Sequence, residues 1–143
     1  MTIPNYAQDV PFVTTEQMIE VDRAMMEDYK IELIQMMENA GRNLAHLARE
    51  RFFEGNPHGK PVVVLAGTGG NGGGALVCAR RLHNYGAQVQ IFIVKPDESF
   101  APIPAHQLVI CRRLGLEVRL ADEMATAVSP DLIIDGVIEK ILK

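Results

Sequence analysis

The sequence predicts an α/β protein: a Rossmann-like three-layer α/β/α domain with a mostly parallel sheet, preceded by two N-terminal helices. Three observations predict this class. The uninterrupted apolar run Pro61–Ala66 is typical of a strand that is buried on both faces. A glycine-rich segment follows it at residues 67–74. Apolar strand patterns then alternate with helix patterns, which indicates βαβ units and hence parallel pairing.

Two helices precede the first strand. The first is predicted over Thr15–Asp28, because Thr14 and Gln17 have the spacing of a capping box. The second is predicted over Glu32–Phe53, where apolar or small residues recur at three- and four-residue steps. Glycine and proline after this segment predict a turn into the first strand.

The later elements follow the same reasoning. The glycine-rich segment is predicted as a loop, and the remaining elements are two helices, a short helix and three strands. Gly86 and Gly115 are the expected C-terminal stops of the two longer helices. The predicted helices are Ala75–Tyr85 and Ala105–Leu114, and the predicted strands are Ala87–Val94, Leu116–Leu120 and Asp131–Asp135.

Composition bounds the classes of function. The 143 residues correspond to one domain, and 48% hydrophobic with 22% charged residues is ordinary globular composition. With 14 basic and 18 acidic residues the net charge is −4, so we expect no nucleic-acid partner. No apolar run reaches the roughly 20 residues of a membrane span, and the N-terminus has no signal-peptide core. Two cysteines without a C-x-x-C spacing fit a reducing compartment, and we expect a cytoplasmic protein.

The glycine-rich segment is the most informative stretch. Six of the nine residues 67–75 are glycine, and such a loop before a helix presents backbone N–H groups to anions. The segment satisfies the dinucleotide pattern G-x-G-x-x-G and lacks the Gly-Lys-Ser/Thr of a P-loop. The acid expected at the end of the second strand is displaced, since Asp97 comes only after Pro96. A tight turn without a ligand is the alternative.

Two side chains are candidates at the carboxyl edge of the predicted sheet. Asn71 offers an amide oxygen that suits a hard cation, although asparagine also tolerates left-handed backbone. Asp135 ends the last predicted strand, and ligands of open parallel sheets bind outside the carboxyl ends of the strands. The alternative for Asp135 is a solvated residue at the end of a strand.

Several motifs together resemble one family. They are Met37-Glu-Asn-Ala-Gly41, the Gly-Asn-Gly-Gly segment followed by Leu-Val-x-Ala-Arg-Arg-Leu, and Asp131-Leu-Ile-Ile-Asp-Gly136. In this order, over about Thr14 to Ile138, the chain resembles the YjeF N-terminal domain family. Enzymatic members are NAD(P)H-hydrate epimerases, which interconvert the R and S forms of hydrated NADH and NADPH in nicotinamide cofactor repair. The resemblance also implies a potassium ion, a homodimer and a partner NAD(P)H-hydrate dehydratase.

The resemblance implies roles for particular residues. Asn71 and Asp135 fall on positions that ligate potassium. Apart from the resemblance, Asp135 is our candidate for the catalytic acid–base group, and the alternative is that it serves only as an ion ligand. The family's N-N-G-G-D loop and its second ligand loop imply a set of cofactor-binding residues. These are Gly70, Asn71, Gly72, Gly73, Gly74, Glu139 and Lys143.

The chain also departs from the family pattern. Gly70 stands where the family has Asn, and Gly74 stands where it has Asp, which removes one possible acid–base group. After Ile138 the family continues differently and for longer, so residues 1–143 are interpreted as a single, incomplete YjeF N-terminal-like domain. The alternatives are a non-catalytic nucleotide- or protein-binding module of the same fold, or a fragment of a dehydrogenase.

Overall fold

A computed structural model describes residues 9–126 and 129–137 of the chain. Two helices come first, and strands then alternate with helices or short 3₁₀ segments. The helices are α1 (Thr15–Glu27), α2 (Leu33–Phe52), α3 (Gly70–Asn84) and α4 (Pro102–Arg113). The strands are β1 (Pro61–Ala66), β2 (Gln88–Ile93), β3 (Glu117–Leu120) and β4 (Leu132–Gly136). The 3₁₀ segments are Asp97–Ser99 and Ala121–Thr126.

The four strands form one sheet in the order β3-β2-β1-β4, and every pairing is parallel. In the centre of the sheet, Val64 of β1 is in register with Ile91 of β2 and Ile134 of β4. Leu65 is in register with Asp135, so the last acid of β4 lies beside the end of β1. The predicted parallel α/β fold is confirmed.

The main core lies between the sheet and helices α3 and α4. Val64 and Ile91 from the sheet, Leu76 and Leu82 from α3, and Leu108 from α4 are essentially inaccessible to solvent. Burying side chains of this size contributes about 1.5–3 kcal/mol each, which explains why these two helices are held on this face of the sheet. Helix α2 then packs on α3.

Helix α1 begins as predicted. Gln17 N–H donates to Thr14 Oγ1 at 3.2 Å, and Thr14 N–H donates to Gln17 Oε1 at 2.8 Å, which completes the capping box. Unlike the other three helices, α1 buries none of its residues. Within residues 9–126 and 129–137, no helix is both long enough and apolar enough to span a bilayer.

The predicted helix boundaries were wrong at two N-termini. Helix α3 begins at Gly70 and not at Ala75, so Gly70–Gly74 is helix rather than loop. A methyl group at Gly72 would collide with the Gly67 backbone. The close approach of these two segments therefore requires glycine inside the helix, despite the low helix propensity of glycine. Helix α4 begins at Pro102, since a proline in the first turn lacks only an N–H that would have no helical partner.

Candidate active site

A cavity of about 220 Å³ opens at the carboxyl end of β4, between the middle of α2 and the first turns of α3. The α3 residues that line it are spaced i, i+1, i+4 and i+5, which places them on one face of the helix. The lining residues are Ala40, Gly41, Leu44, Gly70, Asn71, Gly74, Ala75 and Asp135.

The sheet topology explains why the cavity lies here. From β1 the chain proceeds to β2 and β3 on one side, and then returns to place β4 on the other side of β1. Ligands of open parallel sheets bind at such a reversal of strand order. Gly67 N–H donates to Gly136 O at 3.0 Å, which joins the segment after β1 to the end of β4.

The end of β4 lies directly against the first turn of α3. A methyl group at Gly136 would come within 2.5 Å of Ala75 Cβ and 2.9 Å of Asn71 O. Only a glycine fits this approach, and the close contact holds Asp135 next to the start of α3. The sequence-predicted pair, Asn71 and Asp135, therefore lines the same cavity, although 64 positions separate the two residues in the chain.

Asp135 is exposed, and its carboxylate is oriented by the backbone two residues further along the chain. Val137 N–H donates to Asp135 Oδ1 at 2.9 Å. Carboxylate and amide oxygens are ligand types that hard cations take. Among the described residues, no three His, Cys, Asp or Glu side chains form a group that could hold a metal ion. A cation at Asn71 and Asp135 would therefore complete its shell with main-chain, substrate or water oxygens.

The N-terminus of α3 adds positive electrostatic potential to the cavity. The helix start is capped by Gly69 in extended backbone, and Gly73 N–H donates to Gly69 O at 3.0 Å. The first turn of this fully described helix carries no acidic residue. The helix dipole and the N–H groups of a first turn favour an anion, so the arrangement suits a phosphate group.

The predicted cofactor-binding residues divide into three sets. Gly70, Asn71 and Gly74 line the cavity. Gly72 and Gly73 do not: Gly72 faces the backbone of Gly67, and Gly73 faces Met37 and Pro104. Glu139 and Lys143 lie outside the described residues.

The acid after the second strand has a structural partner. Arg112 donates to Asp97 through Nε at 3.0 Å and through Nη2 at 2.7 Å, and this pair lies outside the 220 Å³ cavity.

Sequence reasoning missed the α2 wall of the cavity. Ala40, Gly41 and Leu44 line it, and a methyl group at Gly41 would fall on Val77 and within 2.6 Å of Gly74 O. Small residues spaced along the apolar face of a helix are a signal of close helix packing. The sequence carries this signal in Met37 and Gly41, which belong to the apolar or small face that predicts the second helix.

The parallel sheet, the glycine-rich helix start and the cavity at the carboxyl edge define a Rossmann-like α/β domain. The chain belongs to the family of YjeF-related protein N-termini, whose family model matches residues 33–138.

Similar proteins agree with this family. The chain is 39% identical over 108 residues to an NAD(P)H-hydrate epimerase of Dehalogenimonas lykanthroporepellens, covering 76% of this chain and 43% of the relative. It is 31% identical over 132 residues to an NAD(P)H-hydrate epimerase of Rhodopirellula baltica, covering 90% of this chain and 52% of the relative. The crystal structure of yeast ynu0 superposes with a TM-score of 0.76 at 27% identity, covering 94% of this chain and 60% of that one.

These coverages show that the chain spans about half the length of the curated relatives it matches. Another relative, from Moorella thermoacetica, is named a bifunctional NAD(P)H-hydrate repair enzyme. It is 35% identical over 103 residues, which are 72% of this chain and 19% of the relative.

Proposed function

We propose that this chain is the cofactor-repair domain of an NAD(P)H-hydrate epimerase, an isomerase that interconverts the R and S forms of hydrated NADH and NADPH. The observation that carries the proposal is the meeting of Asn71, Asp135 and the start of α3 around one cavity. The relatives named NAD(P)H-hydrate epimerase, at 39% and 31% identity, support it independently.

The cavity suggests how the substrate is held. A phosphate of the hydrated dinucleotide lies at the N-terminus of α3, where the helix dipole favours negative charge. The hydrated nicotinamide ring then lies towards Asp135, which lines the same cavity as Gly70 and Gly74. A potassium ion held by Asn71 and Asp135 would offset the carboxylate charge beside the phosphates. Glu139 and Lys143 are proposed to complete the substrate site.

Asp135 is proposed to move the proton in the reaction. A proton passes to the ring hydroxyl of the substrate, which leaves as water while the ring nitrogen lone pair forms an iminium. Water then adds to the opposite face of that carbon and returns its proton. Proton transfer by a positioned side chain contributes about 10²–10⁴-fold to a rate.

The variant Asp135→Asn tests this role. Asparagine keeps an oxygen that can accept the Val137 N–H bond, so the fold is retained while the charge and the proton-transfer group are lost. The separated hydrate epimers are allowed to equilibrate in a buffer that contains potassium, and their ratio is measured over time by chromatography. We expect the variant to slow this equilibration by about 10²-fold or more.

Asp131→Asn is the matched control for this variant, because Asp131 also flanks β4 and its carboxylate lies 4.0 Å from Lys60 Nζ, away from the cavity. The control should equilibrate the epimers at the wild-type rate. Equal rates in the Asp135→Asn variant and the wild type would contradict the proton-transfer role.

The alternative is a non-catalytic nucleotide- or protein-binding module of the same fold. One observation favours it: Asp135 is the single ionisable side chain among the described residues that line the cavity. Saturable binding of NADP⁺ with no acceleration of epimer equilibration by the wild-type chain would support the module and contradict the enzyme.

The partners, the oligomeric state and the cellular location of the protein are also proposed from its membership of this family. A partner dehydratase would consume one epimer. A homodimer is supported by exposed hydrophobic side chains on α1, such as Ile19, which is 64% exposed. A cytoplasmic location is supported by Cys78 and Cys111, which are buried and unpaired with each other.

A further inference from the structure

A second cavity, of about 270 Å³, opens at the carboxyl ends of β2 and β3. Part of its lining is apolar and includes Val118 and Leu120 of β3. Its charged lining consists of two arginines and two carboxylates. The described residues around this second cavity are different from those around the 220 Å³ cavity beside β4.

The two cavities lie along one edge of the sheet. The strand order puts the first cavity beside β4 and the second beside β3, with the ends of β1 and β2 between them. Neighbouring strands lie about 4.8 Å apart, so the ends of β4 and β3 are about 14 Å from each other. A dinucleotide, which is two nucleosides joined by a pyrophosphate, is long enough to reach from one cavity to the other.

The segment that leads from β2 to α4 is tied to the segment between β1 and α3. Val94 N–H donates to Ala66 O at 3.2 Å. Ala101 N–H donates to Thr68 O at 3.0 Å. The second cavity is therefore joined to the start of α3, where the proposed substrate places a phosphate.

Asp97 and Arg112 line the second cavity as an ion pair that is open to solvent. Arg112 donates to Asp97 through Nε at 3.0 Å and through Nη2 at 2.7 Å. The side chains of Arg112 and Asp97 nevertheless remain 43% and 51% exposed. An ion pair this exposed contributes little to stability, so both groups can exchange their partner for a ligand at small cost.

The other two charged lining residues are bonded at the edge of the sheet. Arg119 forms an ion pair with Glu117 of the same strand. Leu120 N–H donates to Glu123 Oε1 at 3.4 Å. The two cations and two anions that line the cavity balance each other, so its net charge excludes neither a neutral nor an anionic group.

The residue types of the exposed pair match the two forms of an adenosine ribose. In parallel sheets that bind dinucleotides, a carboxylate near the end of the second strand accepts a hydrogen bond from the ribose 2′-hydroxyl of NAD, and a nearby arginine binds the 2′-phosphate of NADP. Asp97 comes late in the sequence for this role, but the structure places it with Arg112 in a cavity at the end of β2.

We propose that the second cavity binds the adenosine half of the substrate, and that Asp97 and Arg112 set its choice between a 2′-phosphate and a 2′-hydroxyl. The inference rests on the proposed function, because it takes the substrate as a hydrated dinucleotide. Arg112 turns from Asp97 to the 2′-phosphate of hydrated NADPH. With hydrated NADH the pair stays closed, and the 2′-hydroxyl donates to Asp97. Val118 and Leu120 offer apolar surface to the adenine.

The test compares the affinities of NADP⁺ and NAD⁺, measured by calorimetry, in two variants of the pair. Arg112→Gln should weaken the binding of NADP⁺ by about tenfold or more and change that of NAD⁺ little, because a charge-assisted hydrogen bond to the phosphate is lost. Asp97→Asn should strengthen NADP⁺ relative to NAD⁺, because it removes a negative charge beside the phosphate and releases Arg112. The two variants should therefore move the ratio of the two affinities in opposite directions.

Arg113→Gln is the matched control, since Arg113 is the exposed neighbour of Arg112 on α4 and does not line the cavity. It should keep the wild-type ratio, and an equal shift in this control would reduce the effect to net charge and contradict the proposal. If both pair variants change the two affinities by the same factor, or leave them unchanged, the specificity role is wrong while the proposed function stands. If the wild type binds neither NADP⁺ nor NAD⁺, the proposed function fails, and the specificity role fails with it.

Discussion

At the scale of single residues, the two cysteines are held as neutral thiols. Burial raises the pKa of Cys78 from 9.0 to about 12. It also raises the pKa of Cys111 to about 11, and the Cys111 Sγ–H donates to Leu76 O at 3.4 Å. Desolvation of the Cys111 thiol outweighs the nearby positive charge of Arg80, which by itself would lower the pKa, so the thiol is not activated.

Both thiols are therefore expected to resist a disulfide reagent at pH 8 in the folded protein and to react together on unfolding. Because each pKa is raised in the folded state, the stability contribution of the neutral thiols is intact below pH 9. It is lost as the pH rises from 9 towards 11 and 12. Fast modification of either thiol in the native protein would contradict this prediction.

At the scale of elements, α2 and α3 are joined by an ion cluster on one side of the close contact at Gly41. Glu38 of α2 forms ion pairs with Arg80 and Arg81 of α3. Burial alone raises the pKa of Glu38, but the hydrogen bonds and charges of the two arginines outweigh it and hold the pKa below its usual value of 4.5.

Glu38→Gln should lower the free energy of unfolding at pH 7 by about 1–2 kcal/mol, because two half-buried arginines lose their counter-ion. A depressed pKa contributes stability above 4.5, so the difference from the wild type should shrink as the pH falls below that value. Urea unfolding at pH 7 and pH 3.5 measures both effects.

Glu20→Gln is the matched control, since Glu20 pairs with Arg23 on the exposed surface of α1 and its side chain is 64% exposed. It should change the stability far less than Glu38→Gln, because solvent screens an exposed ion pair. Equal changes in the free energy of unfolding would show that the ion cluster between α2 and α3 stabilises the protein no more than an exposed ion pair does.

At the scale of the whole molecule, the described residues expose an apolar surface around α1. Ten of their nineteen exposed large hydrophobic side chains lie within residues 10–33. Exposed apolar side chains gathered in one segment of a chain are a signal of an interface with another protein. The ten side chains are Val10, Phe12, Val13, Met18, Ile19, Val21, Met26, Tyr29, Ile31 and Leu33.

A second copy of the chain is the proposed occupant of this surface. We expect a concentration-dependent dimer in analytical ultracentrifugation, and Ile19→Glu should shift it towards monomer, because Ile19 is 64% exposed and belongs to a helix that buries none of its residues in the core. Val109→Glu, on the exposed side of α4, should leave the dimer intact. A wild-type monomer at all concentrations would contradict the dimer.

Much of the fold was predictable from local patterns. Strand β1 has the predicted bounds, because the run of β-branched residues between Lys60 and Gly67 allows one buried strand and little else. The Thr14 cap of α1 was also predictable, because a capping box is a local pattern of two residues three positions apart. The predicted start of α3 is wrong, because the low helix propensity of glycine indicates a loop at residues 70–74. The close approach of Gly72 to Gly67, which requires glycine in the helix, is not visible in the sequence.

The sequence by itself determined the α/β class, the family and the two polar residues, Asn71 and Asp135, since these follow from periodicity and short motifs along the chain. Only the tertiary structure decided which glycines belong to packing and which face the cavity. It also decided that α2 supplies a wall of the site. The physical reason is that propensity and spacing are local properties. The space beside a Cβ atom depends on segments distant in sequence, which meet only after the sheet and helices have packed.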